Sequence, residues 1–373
     1  MSAARAPTFA VVTGGGTAGH VLPALAIAEA LVASGHERST IHYAGAARGI
    51  EARLVPPSGF AMTLLPGRGI RRALTPANVA AIGGLVVAFV RAIALLGRLR
   101  PRVVIAVGGY ASVAVALAAV LRRIPVVVAE QNAVPGAANR LVARFAKAAA
   151  VAFDGTPLPR AVVTGNPVRR EIVVLGQAAD RNAARAALGV GTGRRLVLVT
   201  GGSLGALRIN LATIEAVGAW RERGDLAVHH VVGRRDWDRI STMVPTDPGA
   251  LAYRAVPYED DMPTVLAAAD LAVCRSGSGT CFELAAMGLP AVLVPSPFVT
   301  ADQQTRNAEQ LVRAGAAVVV PDADLDGDRL VAEVDRLLAD DAARAAMSAA
   351  ARGWARPDAA EAIAALAEEH ARG

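Results

Sequence analysis

Short apolar, β-branched runs recur along the chain, and each gives way to glycines or polar residues that open a helix-like stretch. FAVV (9–12) leads into TGGGTAGH and then into the helical pattern of VLPALAIAEAL. STIHYAG (39–45), RVVIAVGGY (102–110), IPVVVAEQN (124–132) and AAAVAF (148–153) read as further strands, with helical stretches between them. Strands alternating with helices imply a parallel sheet. Gly165 and Pro167 in VVTGNPVRREI (162–172) interrupt the alternation. It restarts after ALGVGTGRR (187–195) with RLVLVTGGSLGALRIN (195–210), again strand, glycine loop and helix. LAVHHVVG (226–233), DLAVCRSGSGT (270–280), LPAVLVPSP (289–297) and AAVVV (316–320) supply more strands. The pattern predicts an α/β chain of two Rossmann-like halves rather than one long sheet. Residues 1–165 would form the first half and 166–345 the second. The helical end, 346–373, is broken at Pro357 and would pack back on the first half.

Composition narrows this picture. Of 373 residues, 53% are hydrophobic but only 4% aromatic, so alanine, valine and leucine do the packing, as in parallel sheets covered by helices. The 39 Lys and Arg exceed the 32 Asp and Glu by +7, which favours anionic partners such as phosphates or acidic lipid headgroups. No run of like charge is long enough for a nucleic-acid tail, so nucleic acid is not an expected partner. Cys274 and Cys281 form neither a disulfide framework nor a usual zinc pattern, and a reducing compartment is the default. The longest apolar run, VAAIGGLVVAFV (79–90), ends at Arg91, too short for a span of about 20 residues. The stretch 73–101 is flanked by Arg71, Arg72, Arg91, Arg98, Arg100 and Arg102. It reads either as a core helix or as a face resting on an acidic membrane.

Gly14, Gly16 and Gly19 fit the dinucleotide fingerprint G-x-G-x-x-G. That fingerprint also needs an acidic residue about 20 positions on to hold a ribose. STIHYAG ends without one, and so does LAVHHVVG after the second loop. What remains is anion binding by loop N–H groups and a helix N-terminus, or a tight turn without a ligand. His20 follows the first loop at a helix start, which disfavours imidazolium; it reads as a neutral proton acceptor or as a packing histidine. Glu130, Gln131 and Asn132 fall at a strand end, where open α/β sheets bind ligands. Arg169 in GNPVR offers a planar fork suited to phosphate. In RSGSGTCFE (275–283), Thr280 and the serines suit phosphate or a helix cap, and Glu283 suits two ribose hydroxyls. ADQQTRNA (301–308) joins Asp302, Gln303, Gln304 and Asn307 at a helix start, fit for sugar hydroxyls or a plain cap. EDD (259–261) reads as a helix cap, and no compact Asp-x-Asp metal site is present.

GGGTAGH…P, GGY, EQN…G…N, GNPVR, GGSLGA, DDM, RSGSGT..E and DQQ..NA occur in this order between residues 14 and 308. Together they resemble the MurG family, the lipid-linked N-acetylglucosaminyltransferases of peptidoglycan synthesis. The resemblance implies a GT-B fold, two Rossmann-like parallel-sheet domains facing a central cleft, with the acceptor lipid I on the first and UDP-GlcNAc on the second. It implies inverting transfer of GlcNAc to the C4 hydroxyl of the muramyl residue, giving lipid II, by a peripheral protein on the cytoplasmic face of the membrane. Other cell-wall or division proteins are implied partners; no cofactor or metal is. Donor contacts carried over by motif fall on Thr17, Ala18, Gly19, Asn132, Arg169, Ser203 and Glu259. They continue through Ser278, Gly279, Thr280, Cys281, Phe282 and Glu283 to Gln303 and Gln304. Acceptor contacts fall on Gly15, Gly16, His20, Gly108, Gly109 and Tyr110, with His20 the expected base. Four positions depart from the family pattern: Ala18 stands for a glycine, Ala129 for a histidine, Val113–Ala114 for Gly–Pro, and Glu259 for an aliphatic residue. A UDP-GlcNAc 2-epimerase, a non-catalytic nucleotide-sugar sensor at the membrane and an NAD oxidoreductase are the rival readings.

Overall fold

The computed structural model describes residues 7–47, 49–66, 76–178, 180–202 and 206–373. The chain divides into two units, Met1–Arg169 with Arg356–Gly373, and Arg170–Ala355.

The first unit runs β1 (Ala10–Gly14), α1 (Ala18–Ala33), β2 (Ile41–Ala46), α2 (Glu51–Leu54), β3 (Ala61–Leu65), α3 (Pro76–Leu99), β4 (Val103–Gly108), α4 (Tyr110–Leu121), β5 (Val126–Glu130), α5 (Ala137–Val142), β6 (Ala148–Val151) and β7 (Ala161–Val163). Among the described residues the sheet has seven parallel strands in the order β3-β2-β1-β4-β5-β6-β7. Its central strands are buried on both faces, which is why they read as unbroken apolar runs. Val11, Val104, Ala106 and Val128 face one core with Val115 and Leu96, whereas Val12, Ile105 and Val127 face the other with Ile27 and Leu31. The edge strands β3 and β7 escaped the apolar pattern. All three residues of β7 are exposed, so no burial shaped its sequence.

α3 packs on α4 through Ala88, Ala92, Leu95 and Leu96, all buried. Its other side leaves Val86, Val87 and Val90 exposed beside Arg91. The core-helix reading therefore holds for one side of α3; Arg71 and Arg72 lie outside the described residues.

The second unit runs α6 (Arg170–Ala178), α7 (Arg181–Ala187), β8 (Arg195–Thr200), α8 (Leu207–Ala219), β9 (Leu226–Val231), α9 (Trp237–Ile240), β10 (Ala252–Val256), α10 (Met262–Ala268), β11 (Leu271–Cys274), α11 (Ser278–Met287), β12 (Ala291–Leu293), α12 (Gln303–Arg313), β13 (Ala317–Val319), α13 (Gly327–Ala339) and α14 (Asp341–Trp354). Six parallel strands order β10-β9-β8-β11-β12-β13 among the described residues. Val197, Val199, Val228 and Val273 face a core closed by Ile209, Trp220, Leu330 and Val334. Trp220 is buried and donates from Nε1 to Asp335 at 3.1 Å, so its one polar atom is satisfied. Asp261 caps α10 by accepting from Thr264 N–H at 3.3 Å, as EDD suggested.

The chain then returns to the first unit. Gly165, at φ +86°, lies where an added Cβ would come 2.4 Å from Arg356 Cβ, so both backbone angle and space require glycine there. The last helix, α15 (Ala359–His370), lies on α1 and buries Ile363, Ala364 and Ala367 in the core with Ile27 and Leu31. Glu368 accepts from Ser34 Oγ at 2.5 Å and pairs with His36 Nε2 at 3.1 Å.

Two measurements check this packing. Ile363→Ala should destabilise the first unit by about 2–5 kcal/mol in denaturant unfolding, since it empties a buried site. A second concerns His230, fully buried between Asn210 Oδ1 (3.0 Å from Nε2) and Tyr253 Oη (2.8 Å from Nδ1). Burial pushes its pKa down to about 3. The unfolded histidine takes a proton below about 6.5, whereas the folded one stays neutral. Stability is therefore full above pH 6.5 and declines as pH falls from there toward 3, by about 1.4 kcal/mol per pH unit. His230→Gln should flatten the unfolding free energy against pH in that window by one proton's worth of slope.

Candidate active site

In an open parallel sheet, ligands lie beyond the carboxyl ends of the strands where the strand order reverses. In the first unit that point falls between β1 and β4, and in the second between β8 and β11. The glycine-rich segments sit at these strand ends.

In the first unit the β1 loop and the β4 loop touch backbone to backbone. Gly15 N–H donates to Gly108 O at 3.2 Å. A Cβ on Gly109 would lie 2.4 Å from Gly15 O, and one on Gly108 would lie 2.9 Å from His20 Cδ2. Both glycines also sit at positive φ. Their identity follows from contact between the loops, before any ligand is considered. Tyr43 Oη donates to Gly14 O at 2.8 Å, and Glu51 Oε2 accepts from Gly16 N–H at 3.2 Å. The loop is thus held from β2, from α2 and from β4.

Thr17 is the N-cap of α1, and Ala18, Gly19 and His20 form its first turn; His20 N–H and Val21 N–H both donate to Thr17 O at 3.1 Å, so Ala18 and Gly19 carry the first N–H groups of the helix. Ala18 has φ/ψ of an ordinary helix residue, so its methyl group is accommodated where a glycine was the family norm. Thr17 Oγ1 lies 3.3 Å from His20 Nδ1. Burial lowers the His20 pKa below 6.5, and the Glu130 carboxylate, a Gly15 backbone hydrogen bond and the Glu51 carboxylate oppose it. The imidazole is therefore neutral at pH 7, and burial rather than the helix N-terminus is the largest cause. Tyr110 opens α4, partly buried, immediately after the Gly108–Gly109 turn.

Glu130, at the end of β5, is buried and organises its own loop. It accepts from Asn132 N–H and Gly136 N–H, both at 2.9 Å, and from Asn139 Nδ2 at 3.0 Å. Its carboxylate is taken up by the scaffold, which leaves Asn132, half-buried, as the polar group of that segment nearer the surface. Arg169 is half-buried at the last position of the first unit.

In the second unit β8 ends at Thr200, whose Oγ1 accepts from Gly202 N–H at 3.2 Å. Ser203, assigned to the diphosphate, lies outside the described residues. β11 ends one residue before Arg275. That arginine is buried, donates to Val294 O and Pro295 O at 3.0 and 3.2 Å, and pairs with Asp322 at 2.5 Å. It therefore ties strand ends together, a role the sequence motif did not reveal. α11 follows, with Gly277 as N-cap. Ser278, Gly279 and Thr280 present its first N–H groups, a ready anion site. Cys281 and Phe282 are fully buried, and Phe282 packs on Trp354 with ring centroids 4.6 Å apart. Their side chains belong to the core, so only their backbone is available to a ligand. Burial also pushes both thiols well above the usual range, Cys274 to about 12. Glu283 is half-buried one turn further on.

Gln303 and Gln304 open α12. Gln304 Oε1 accepts from Ser296 N–H at 2.8 Å, and its backbone O accepts from Ser276 Oγ at 2.8 Å. Its side-chain carbonyl is thus committed to the scaffold. Asn307, fully buried, donates to Ser276 O at 3.2 Å. Glu259 sits between His229 Nε2 at 3.0 Å and Asp261 N–H at 2.9 Å. Its carboxylate is so occupied.

Two doubly wound parallel sheets, each with glycines where a strand ends at its switch point, are the architecture of the GT-B glycosyltransferases. Residues 10–151 match the glycosyltransferase family 28 N-terminal domain, and residues 196–363 match the glycosyltransferase family 28 C-terminal domain. The UDP-N-acetylglucosamine--N-acetylmuramyl-(pentapeptide) pyrophosphoryl-undecaprenol N-acetylglucosamine transferase of Salinibacter ruber is 43% identical over 364 residues, 96% of each chain. The enzyme of the same name from Clavibacter sepedonicus is 42% identical, over 97% of this chain and 96% of its own. The crystal structure of Acinetobacter baumannii MurG matches with a TM-score of 0.76 at 28% identity, covering 97% of this chain and 100% of its own. A putative UDP-N-acetylglucosamine 2-epimerase from Listeria monocytogenes reaches 0.71 at 16% identity over 97% of this chain and 96% of its own, a likeness of fold alone. The chain belongs to the MurG family.

Proposed function

We propose that this protein transfers N-acetylglucosamine from UDP-GlcNAc to lipid I, giving lipid II for peptidoglycan. The observation that carries this is the 43% identity over 96% of the chain with an enzyme of that name, spanning both units. The acceptor C4 hydroxyl attacks the anomeric carbon on the side opposite UDP. The new β-1,4 bond forms as the bond to UDP breaks, and the anomeric centre inverts. His20, neutral at pH 7, takes the hydroxyl proton. Gly15, Gly16 and His20 with the Gly108–Tyr110 loop receive the acceptor diphosphate, and Thr17, Ala18, Gly19 and Asn132 contact the donor. In the second unit, Glu283 takes the ribose, the Glu259 backbone the uracil, and Gln303 with the Gln304 amide the GlcNAc hydroxyls. The N–H groups of Ser278–Thr280, with Arg169 and Ser203, stabilise the charge that grows on the leaving diphosphate.

No helix among the described residues is long and apolar enough to cross a membrane. The exposed valines of α3, with Leu121 at the end of α4 and the neighbouring Arg91, Arg98 and Arg122, fit a peripheral hold on acidic lipid at the cytoplasmic face. That is where a lipid-linked acceptor made from a cytosolic sugar nucleotide is presented, and where division and cell-wall proteins would meet the enzyme.

Two experiments test this reading. Incubation with labelled UDP-GlcNAc and lipid I should give a labelled, lipid-soluble product; release of free ManNAc and UDP instead would favour the epimerase. His20→Ala should lower kcat by about 10²- to 10⁴-fold, and near-normal kcat would remove it as the base. For the membrane hold, Val86→Glu with Val90→Glu should reduce co-sedimentation with anionic vesicles while turnover on a water-soluble acceptor persists. Unchanged sedimentation would place the hold elsewhere.

A further inference from the structure

Glu51 lies in none of the eight motifs quoted above. It opens α2, is fully buried, and among the described residues no cation pairs with it. Burying a carboxylate is costly unless hydrogen bonds replace the lost water. Two backbone donors do so: Ala46 N–H at 2.6 Å to Oε1, and Gly16 N–H at 3.2 Å to Oε2. Three separate segments forgo a side chain to seat it. An added Cβ at Gly15, Gly45 or Gly49 would come within 2.2, 2.8 or 1.9 Å of the Glu51 side chain. The middle glycine of the GGG turn is thus explained by a buried glutamate 36 residues on rather than by a ligand.

We propose that Glu51 is a positioning residue for the transfer step: by holding Gly16 N–H, it fixes the loop that presents His20 and the remaining amides to the acceptor. This rests on the assignment of that loop and of His20 to the acceptor. The loop has three other anchors, Gly108 O on Gly15 N–H, Tyr43 Oη on Gly14 O and Thr17 beside His20, but Glu51 is the carboxylate beneath it. The charged and polar groups facing His20 are Glu130 from β5, Glu51 from α2, the Gly15 backbone and Thr17; Tyr43 of β2 faces Glu51. Both carboxylates favour the imidazolium that forms when His20 accepts the hydroxyl proton. Glu51 thus acts twice, through the shape of the loop and through its charge.

Glu51→Gln tests this. The amide keeps the shape and one acceptor, but its N–H₂ would face either Ala46 N–H or Gly16 N–H, so one of the two bonds is lost. In the folded variant, kcat/KM for the lipid acceptor should fall at least about tenfold while KM for UDP-GlcNAc stays within about twofold. The His20 titration, followed by NMR of its Cε1 proton, should move to lower pH. Gly49→Ala, which displaces the carboxylate without removing its charge, should give the same kinetic split. In the unmodified enzyme the Gly16 amide should exchange slowly with solvent. Wild-type acceptor kinetics in folded Glu51→Gln, or equal losses toward both substrates, overturn the proposal, as does Gly16 exchange at the rate of an open loop. The unmodified enzyme and His20→Ala run alongside. Absence of transfer by the former sinks the functional reading itself, whereas an active enzyme with an impaired His20→Ala leaves Glu51 judged on its own.

Discussion

The first unit depends on one close approach: the backbones of the β1 and β4 loops meet with no side chain between them. Gly15 N–H reaches Gly108 O, and Gly109 lies where a methyl group would strike Gly15 O. The approach is possible because β1 and β4 are neighbours, though far apart in sequence. It closes the end of the sheet and wedges His20 against Gly108. It also places the start of α1 at the point where the strand order reverses. A side chain at these positions would separate the loops and displace His20.

Electrostatics follow from that packing. A histidine pressed against backbone loses water and stays neutral, which suits a proton acceptor. The two buried carboxylates near it, Glu51 and Glu130, are held by backbone N–H groups, so each also fixes a loop. The second unit uses a cation for the same purpose: Arg275 is buried among carbonyls and Asp322 and ties the ends of β11 and β12. In both units, buried charged groups are engaged in holding the backbone at strand ends.

The same distinction applies along the donor motif. Ser278 to Glu283 is one continuous run in sequence, but the helix divides it. Its first three residues give amides, Cys281 and Phe282 enter the core, and only Glu283 returns toward solvent. Gln303 and Gln304 are likewise adjacent yet unequal, because Gln304 spends its carbonyl on Ser296. Glu259, an acid where the family favours an aliphatic residue, is tolerated because His229 and Asp261 N–H occupy its carboxylate.

The apolar runs alone determined the central parallel strands, since strands buried on both faces leave an unbroken hydrophobic record. The order of motifs pointed to the family, and the missing acids after both loops weighed against a dinucleotide. The edge strands β3, β7 and β10 left little record, because exposed or half-exposed strands place weak demands on their residues. What each polar residue does was decided only by tertiary structure. Glu51 reads as an unremarkable helix residue in GIEARL, yet it lies beneath the first loop. Glu130 falls at a strand end where ligands bind, yet its carboxylate holds its own loop, and Arg275, given no role by the motif, ties strand ends together. Burial and hydrogen-bond partners are set by segments distant in the chain, and local sequence spacing carries no trace of them.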